Sequence, residues 1–406
     1  MVYATMKTIL NKSVLWDYFV VVLLIISSDA VFFKGRLSGS VVYPFLLLIS
    51  LVHLYITKSK ITLNSSIYYI LWCFILCILN YLKNSYPLQD KSMMAFFCSM
   101  FATYFIISNY NYEHFKKLFT DVVYLIVLFG IPIFIASEYS LIPLGTIIDV
   151  NGQPYYSWGI YTLGWDPHFF HRFSGIWHEP GACQIILNTA LWLNYNSILK
   201  WNWEKGQLKK CLVILVGSLM TMSTGSYIVL MLLFLAILIN VRIRGKYKLW
   251  LILLLLIIVP ASLYLLFMSP VVQNKLFDAD GEMESKVTRL ADVMVLWQMI
   301  QNKPILGYGI GTTEFWRYIC NYGNCNTYSG ILAYTASLGI SWLLVYMTFL
   351  WKGCKQLKLG RGTICLVIAI VLMQFDEYFI EFPVSCVFLF KYASYNKINL
   401  NTLTTK

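Results

Sequence analysis

The chain has 406 residues, 59% hydrophobic and 17% aromatic, with only 12% charged, where a soluble domain carries about 25%. A mean hydropathy of +0.66 is more apolar surface than a water-facing fold can hide, so an ordinary soluble enzyme is excluded and most of the surface is expected to face lipid. The formal net charge of +12 would point to nucleic acid in a soluble chain; here its placement along the sequence decides what it means.

A spanning helix needs about 20 largely apolar residues, because at 1.5 Å per residue that length crosses a hydrocarbon core of about 30 Å. In chain order the candidates are Val14–Phe33, Val41–Thr57, Ser65–Leu82, Ser92–Asn109, Leu118–Ser137 and Glu179–Leu199. Next comes Lys210–Val241, too long for one span and interrupted by Met222-Ser223-Thr224-Gly225-Ser226, which predicts two short helices meeting at a polar turn. Leu249–Met268 and Thr327–Trp351 follow. Ile364–Ala393 carries Asp376 and then Pro383, and is divided in the same way. The expected fold class is all-α: a polytopic membrane protein of about twelve helices, one multi-span domain over 1–406. Two long outside segments are expected at 138–178 and 269–326, the second lying between helices 9 and 10.

With the N-terminus placed in the cytoplasm, twenty-one of the 31 Lys and Arg fall on the inside segments, opposed there only by Glu113 and Glu204. Every inside segment carries cations, from Lys7 and Lys12 to Lys391, Lys397 and Lys406. Excess Lys and Arg resist translocation, so the pattern predicts an even span count with both termini cytoplasmic. The basic balance is thus a topology signal, and no nucleic-acid partner is expected. Asp17 and Asp29 in the first apolar segment, followed directly by further spans, argue for a retained helix rather than a cleaved leader. Eight of the ten Cys lie in or beside predicted helices, as small apolar fillers. Cys320 and Cys325 stand in the large outside loop, where an oxidising compartment favours a disulfide between them. No further Cys or His lies near, so no metal site is expected.

The residues suited to chemistry gather on the outer side. Arg172-Phe173-Ser174-Gly175-Ile176-Trp177-His178-Glu179-Pro180-Gly181 brings a cation, an imidazole and a carboxylate together at the mouth of the sixth span. Pro180 fits the first helical turn, and that helix end beside Arg172 suits an anion such as phosphate. The alternative is an Arg172–Glu179 pair at the interface, with His178 reaching for headgroups. The hydroxyls of Ser223 and Thr224 either donate to phosphate or sugar oxygens or satisfy the backbone of two helix ends. In the large loop, Glu282–Asn302 has an amphipathic pattern with Val287, Leu290, Met294, Leu296 and Trp297 as its apolar positions. Lys303-Pro304-Ile305-Leu306-Gly307-Tyr308-Gly309-Ile310-Gly311 lacks the strand before it that a dinucleotide fingerprint requires, so its glycines are expected to make a tight turn near the membrane. Arg289 and Arg317 are surface cations or phosphate ligands. Tyr155, Tyr156, Trp158 and Trp165 belong either to an interfacial belt or to a sugar-stacking surface.

The segment Arg172–Gly181 entering a span, Ser223–Ser226 between two short helices, Arg289-Leu290-Ala291-Asp292 followed by Trp297, and Lys303–Gly311 together resemble the bacterial O-antigen polymerase and ligase superfamily. The run Asn326-Thr327-Tyr328 into an apolar segment closed by Gly339 also resembles that family's tenth span. The resemblance covers roughly 165 to 345. It implies undecaprenyl-pyrophosphate-linked oligosaccharides as substrates on the periplasmic face of the bacterial inner membrane, with Arg172 and Arg289 on the pyrophosphate. Arg317 is a further candidate there, and Asn326 and Tyr328 join Ser223 and Thr224 as candidates for a polar or sugar pocket. The family's ligases place a His before the Asn that opens the tenth span; here Cys325-Asn326-Thr327 has none, which favours a polymerase. A pyrophosphate leaving group needs charge stabilisation rather than a metal, so no cofactor is expected. The acceptor hydroxyl needs a base, for which Glu179 is the first candidate and His178 the second. A chain-length regulator and a flippase are the expected protein partners. A ligase, or a non-catalytic flippase or transporter for the same lipid-linked sugars, is the competing reading; charges scattered at several mid-membrane positions and internal repeats would mark a transporter.

Overall fold

The computed structural model describes residues 2–31, 37, 39–57, 64–84, 90–148, 154–164, 172–200, 204, 206–240, 283–322, 329–376 and 383–393. The predicted span Leu249–Met268 lies outside them, as does the part of the large loop before 283. The described residues are mostly helical, with one small sheet. Helices α1 (Val2–Ile26), α2 (Gly39–Ile56), α3 (Ile67–Asn84), α4 (Asp90–Asn109) and α5 (Tyr112–Glu138) come first. Then follow strands β1 (Gly145–Ile148), β2 (Pro154–Trp158) and β3 (Tyr161–Gly164). Helices α6 (Pro180–Leu193), α7 (Tyr195–Lys200), α8 (Gln207–Met220) and α9 (Thr224–Asn240) form the next group. The chain continues with α10 (Met283–Asn302), α11 (Thr313–Tyr322), α12 (Gly330–Leu338), α13 (Ile340–Lys355), α14 (Gly362–Asp376) and a 3-10 turn at Pro383–Phe388.

Among the described residues two helices are long and apolar enough to cross a membrane, Lys91–Asn109 and Tyr112–Glu138, and five shorter apolar helices accompany them. Their outward faces carry large apolar side chains such as Leu48, Tyr68 and Phe129, all well exposed. α5 begins where Asn111 caps it, its side chain accepting from the backbone N–H of His114 at 2.8 Å, with Glu113 in the favourable first turn.

The interior is held by polar stitches as well as by one continuous apolar core. Asp17 of α1 accepts from the Tyr110 hydroxyl at 3.1 Å and meets His114 at 2.9 Å, while Tyr110 also meets His53 of α2 at 3.0 Å. Asp121 of α5 accepts from Tyr18 at 2.7 Å and from Lys210 at 2.6 Å. Deeper, the Asn188 amide of α6 donates to Gln184 at 2.8 Å, and the Ser218 hydroxyl of α8 donates to Asn188 at 3.3 Å and lies 2.8 Å from Ser226 of α9. In a medium without water each such group must find a partner inside the protein.

Several breaks shape the bundle among the described residues. One expected break lies between α8 and α9, with Met222 at a positive φ of 46°; where the other was expected, α14 ends at Asp376, and a 3-10 turn rather than a second α-helix is described at Pro383–Phe388. Two others were not expected: the sixth span divides at Asn194 into α6 and α7, and the tenth divides at Gly339 into α12 and α13. Gly339 breaks its helix because the Lys303–Gly311 turn packs into it, with Ile340 N–H donating to Pro304 O at 2.7 Å and Tyr308 N–H to Ala336 O at 2.9 Å. A Cβ on Gly339 would stand 2.0 Å from the Ile305 carbonyl oxygen, and one on Gly307 2.4 Å from Ser337 backbone. α10 and α11 close over α12 through a second apolar cluster that includes Leu296, Met299, Phe315 and Ala336. Leu296 of the expected apolar face is therefore inward, whereas Leu290, Met294 and Trp297 point outward. The stretch after α5 contains the antiparallel order β1-β2-β3, where a loop alone was expected; Tyr155 and Ser157 alternate inward and Pro154 and Trp158 outward.

Gly339→Ala is expected to lower stability by on the order of 2 kcal/mol or more through backbone collision. Gly159→Ala, also at positive φ but with nothing within 4 Å, is expected to cost about 1 kcal/mol. Thermal unfolding of the two purified variants compares them, and equal midpoints would show that the turn does not pack against Gly339.

Candidate active site

The segment from Arg172 to Pro180 folds as a compact turn wedged between the sheet, the α8–α9 break and the end of α1. Phe173 N–H donates to Met220 O at 2.9 Å, and Thr162 N–H of β3 donates to Gly175 O at 2.9 Å. The Thr162 hydroxyl also donates to the Trp177 carbonyl. On the other side Ala30 forms an antiparallel bridge with Trp177, and Val31 N–H donates to Ile176 O at 3.0 Å. Tyr161 ties the sheet to α5 by donating to Ile126 O at 3.1 Å; burial pushes its phenol above the usual value, so it stays a donor.

These backbone ties place three side chains in a row. The His178 Nδ1 meets the Asp29 carboxylate, and its Nε2 lies 3.1 Å from Glu179 Oε1. The His178 and Asp29 side chains are only 11% and 10% exposed, whereas Glu179 is 31% exposed, so the row runs from the interior to an accessible carboxylate. Asp29 reaches this position from a positive φ of 67°, a conformation that Asp tolerates better than most residues. Glu179 is the N-cap of α6 but makes no side-chain cap bond; Pro180 follows at the first helical position. A carboxylate thus stands against each ring nitrogen, Asp29 at Nδ1 and Glu179 at Nε2, and an imidazole so placed can pass a proton.

Arg172 is 6% exposed, and its Nε donates to the Thr221 carbonyl at 3.1 Å at the α8–α9 break. The Thr221 hydroxyl donates in turn to Ser218 O at 2.8 Å, so the guanidinium is anchored to the Ser218–Ser226–Asn188 network. Ser174, fully buried beside it, has a hydroxyl without a hydrogen-bond partner. The alternative pairing of Arg172 with Glu179 does not appear among the described ion pairs; Glu179 meets His178 instead.

Of the other sequence candidates, Ser223 is buried at the break and Thr224 is exposed at the start of α9. Arg317 is an exposed residue of α11 paired with Glu314 at 2.6 Å, a surface bridge. Arg289 lies on α10, its side chain outside the description, and Asn326 and Tyr328 lie outside the described residues. Tyr155 is buried within β2, while Trp158 is exposed at its end; Trp165 lies outside the described residues. Cys320 is disulfide-bonded, and Cys325 is among the residues not described. No group of three or more His, Cys, Asp or Glu among the described residues could hold a metal ion. The residue that sequence reasoning missed is Asp29. Its only signal was a carboxylate just past an apolar run.

A mostly helical chain with an outward apolar surface and an acid–imidazole–acid row that runs from the interior to an accessible carboxylate at a helix end fits a membrane protein with a polar site. Residues 211–329 match the family model Wzy_C, described as O-antigen ligase, so over that stretch the chain is similar to the O-antigen polymerase and ligase superfamily. The matched stretch runs from within α8 to beyond α11, including the break that anchors Arg172. No curated protein and no solved structure matches the chain.

Asp29→Asn, His178→Asn and the double variant should show coupling in thermal unfolding, the double costing less than the sum by about 0.5–3 kcal/mol. Strictly additive losses would mean that Asp29 and His178 act separately.

Proposed function

We propose that the chain is an O-antigen polymerase, a glycosyltransferase that joins undecaprenyl-pyrophosphate-linked repeat units at the periplasmic face of the bacterial inner membrane. Its twelve spans leave both termini in the cytoplasm, and a chain-length regulator and a flippase work beside it. The observation that carries this reading is the Asp29–His178–Glu179 row, next to an arginine anchored at a helix break. The acceptor hydroxyl oxygen forms the new bond to the anomeric carbon, its proton passing to Glu179. The bond from that carbon to the pyrophosphate breaks, and its electron pair leaves with the phosphate. Arg172 faces the growing charge, held in place by Thr221 so that little reorganisation is needed. His178, fixed by Asp29, sets the orientation of the Glu179 carboxylate and shares its proton. One displacement of this kind inverts the anomeric centre, and it uses no metal.

The second reading is the ligase, which moves the finished glycan onto lipid A-core; the description of the matched family favours it. The missing His before Asn326 favours the polymerase. Surface lipopolysaccharide on a gel separates the two. Deleting a polymerase leaves core plus one repeat unit, deleting a ligase leaves bare core, and an unchanged ladder refutes both. In the deletion background, Arg172→Ala and Glu179→Gln are each expected to reach the membrane yet reduce chain elongation by roughly 10²-fold or more. Normal ladders from both variants would remove the site from the reaction.

A further inference from the structure

At the opposite end of α5 and α6 from His178 lies a second polar cavity. α5 has 27 residues, about 40 Å of helix at 1.5 Å per residue; its far end holds Phe134 against Phe173, and its start borders this cavity. The cavity measures about 240 Å³ and is lined by Glu113 and Lys116 at the start of α5, Asn196, Ser197 and Lys200 of the short α7, Glu204 beyond it and Gln207 at the start of α8. The helices end or begin here, as they do where hydrocarbon gives way to headgroups.

Two features mark it as built rather than incidental. Lys116 is only 5% exposed, its ammonium held by Glu113 and lying 3.5 Å from the Ser197 hydroxyl. Gln207 is 8% exposed, and its Oε1 accepts no hydrogen bond. The orientation of that amide is fixed by a chain of donors. The Asn194 amide nitrogen donates to Ala190 O at 2.8 Å and to the Thr120 hydroxyl at 2.7 Å, so Asn194 Oδ1 must accept. Gln207 Nε2 supplies that bond at 2.6 Å, which leaves Oε1 as the end without a donor. A buried acceptor of this kind calls for a donor from outside the chain. The lining charges are two Lys and two Glu, which suits a molecule carrying both signs rather than a lone anion or cation.

We propose that this cavity binds a phosphate ester bearing a primary ammonium, supplied by the headgroup of a zwitterionic phospholipid. The ammonium donates to Gln207 Oε1 and the adjoining carboxylates, and the phosphate meets Lys116 and Lys200. The assignment stands apart from the glycosyl-transfer reading and survives its failure.

The test titrates the purified full-length protein in detergent with dioleoyl phosphatidylethanolamine, phosphatidylcholine, phosphatidylglycerol or soluble phosphoethanolamine, following the thermal unfolding midpoint. Phosphatidylethanolamine is expected to raise the midpoint saturably by several degrees, with at least fivefold weaker half-saturation for the other two lipids. Phosphatidylcholine presents the same charges without an N–H donor, and phosphatidylglycerol lacks the cation. The double variant Lys200→Ala, Glu204→Ala alters two exposed residues and is expected to lose most of the shift. An equal response to phosphatidylcholine or phosphatidylglycerol, or a full response from the double variant, overturns the proposal. A matching shift from soluble phosphoethanolamine overturns the lipid as the source.

Discussion

The pairing of Asp29 with His178 joins the end of the first helix to a turn far along the chain, and the outer site depends on that junction. It is reinforced by backbone: Ala30 bridges Trp177 and Val31 donates to Ile176. A turn held only by its own residues would leave His178 free to rotate at the membrane surface. With a buried carboxylate against Nδ1, the ring presents Nε2 toward Glu179. The positive φ of Asp29 belongs to the same device, turning the chain after α1 just before Ala30 pairs with Trp177.

The rest of the bundle supports this junction by keeping its polar groups occupied. Arg172 rests on a carbonyl that the α8–α9 break exposes, and the hydroxyls around that break pass the hydrogen bonding inward to Asn188. Helix breaks are costly in lipid unless their backbone groups find partners. Here they do, and a break becomes a means of placing a guanidinium. The break at Gly339 works differently: the Lys303–Gly311 turn occupies the space a side chain would need and supplies Pro304 O to the N–H of Ile340. That seats the outer helices α10 and α11 on α12.

Much of this was legible in the sequence because it depends on local chemistry. Apolar run length marked helices, the Met222–Ser226 cluster marked a break, and Pro180 after Glu179 marked a helix start. Gly307, Gly309 and Gly311 marked a turn, and all three have positive φ. What was not legible depends on partners distant in sequence. Asp29 looks like a stray charge until Trp177 pairs with Ala30. Asn194 and Gly339 sit within apolar runs long enough for one helix, and only Gln207, Thr120 and the Ile305 carbonyl show why the helices divide there. The strands went unseen because each is four or five residues long, in a stretch whose Tyr, Pro and Gly content fits a loop equally well.

The claim that the first helix completes the site is tested most directly by steady-state transfer with purified Asp29→Asn protein and lipid-linked repeat units. That variant keeps the size of the side chain but removes its charge from His178 and turns one acceptor oxygen into a donor amide. The expected result is a fall in kcat of roughly 10- to 100-fold with KM little changed, because substrate contacts remain while the orientation of the base is lost. A wild-type kcat would contradict the account and leave Asp29 a structural staple.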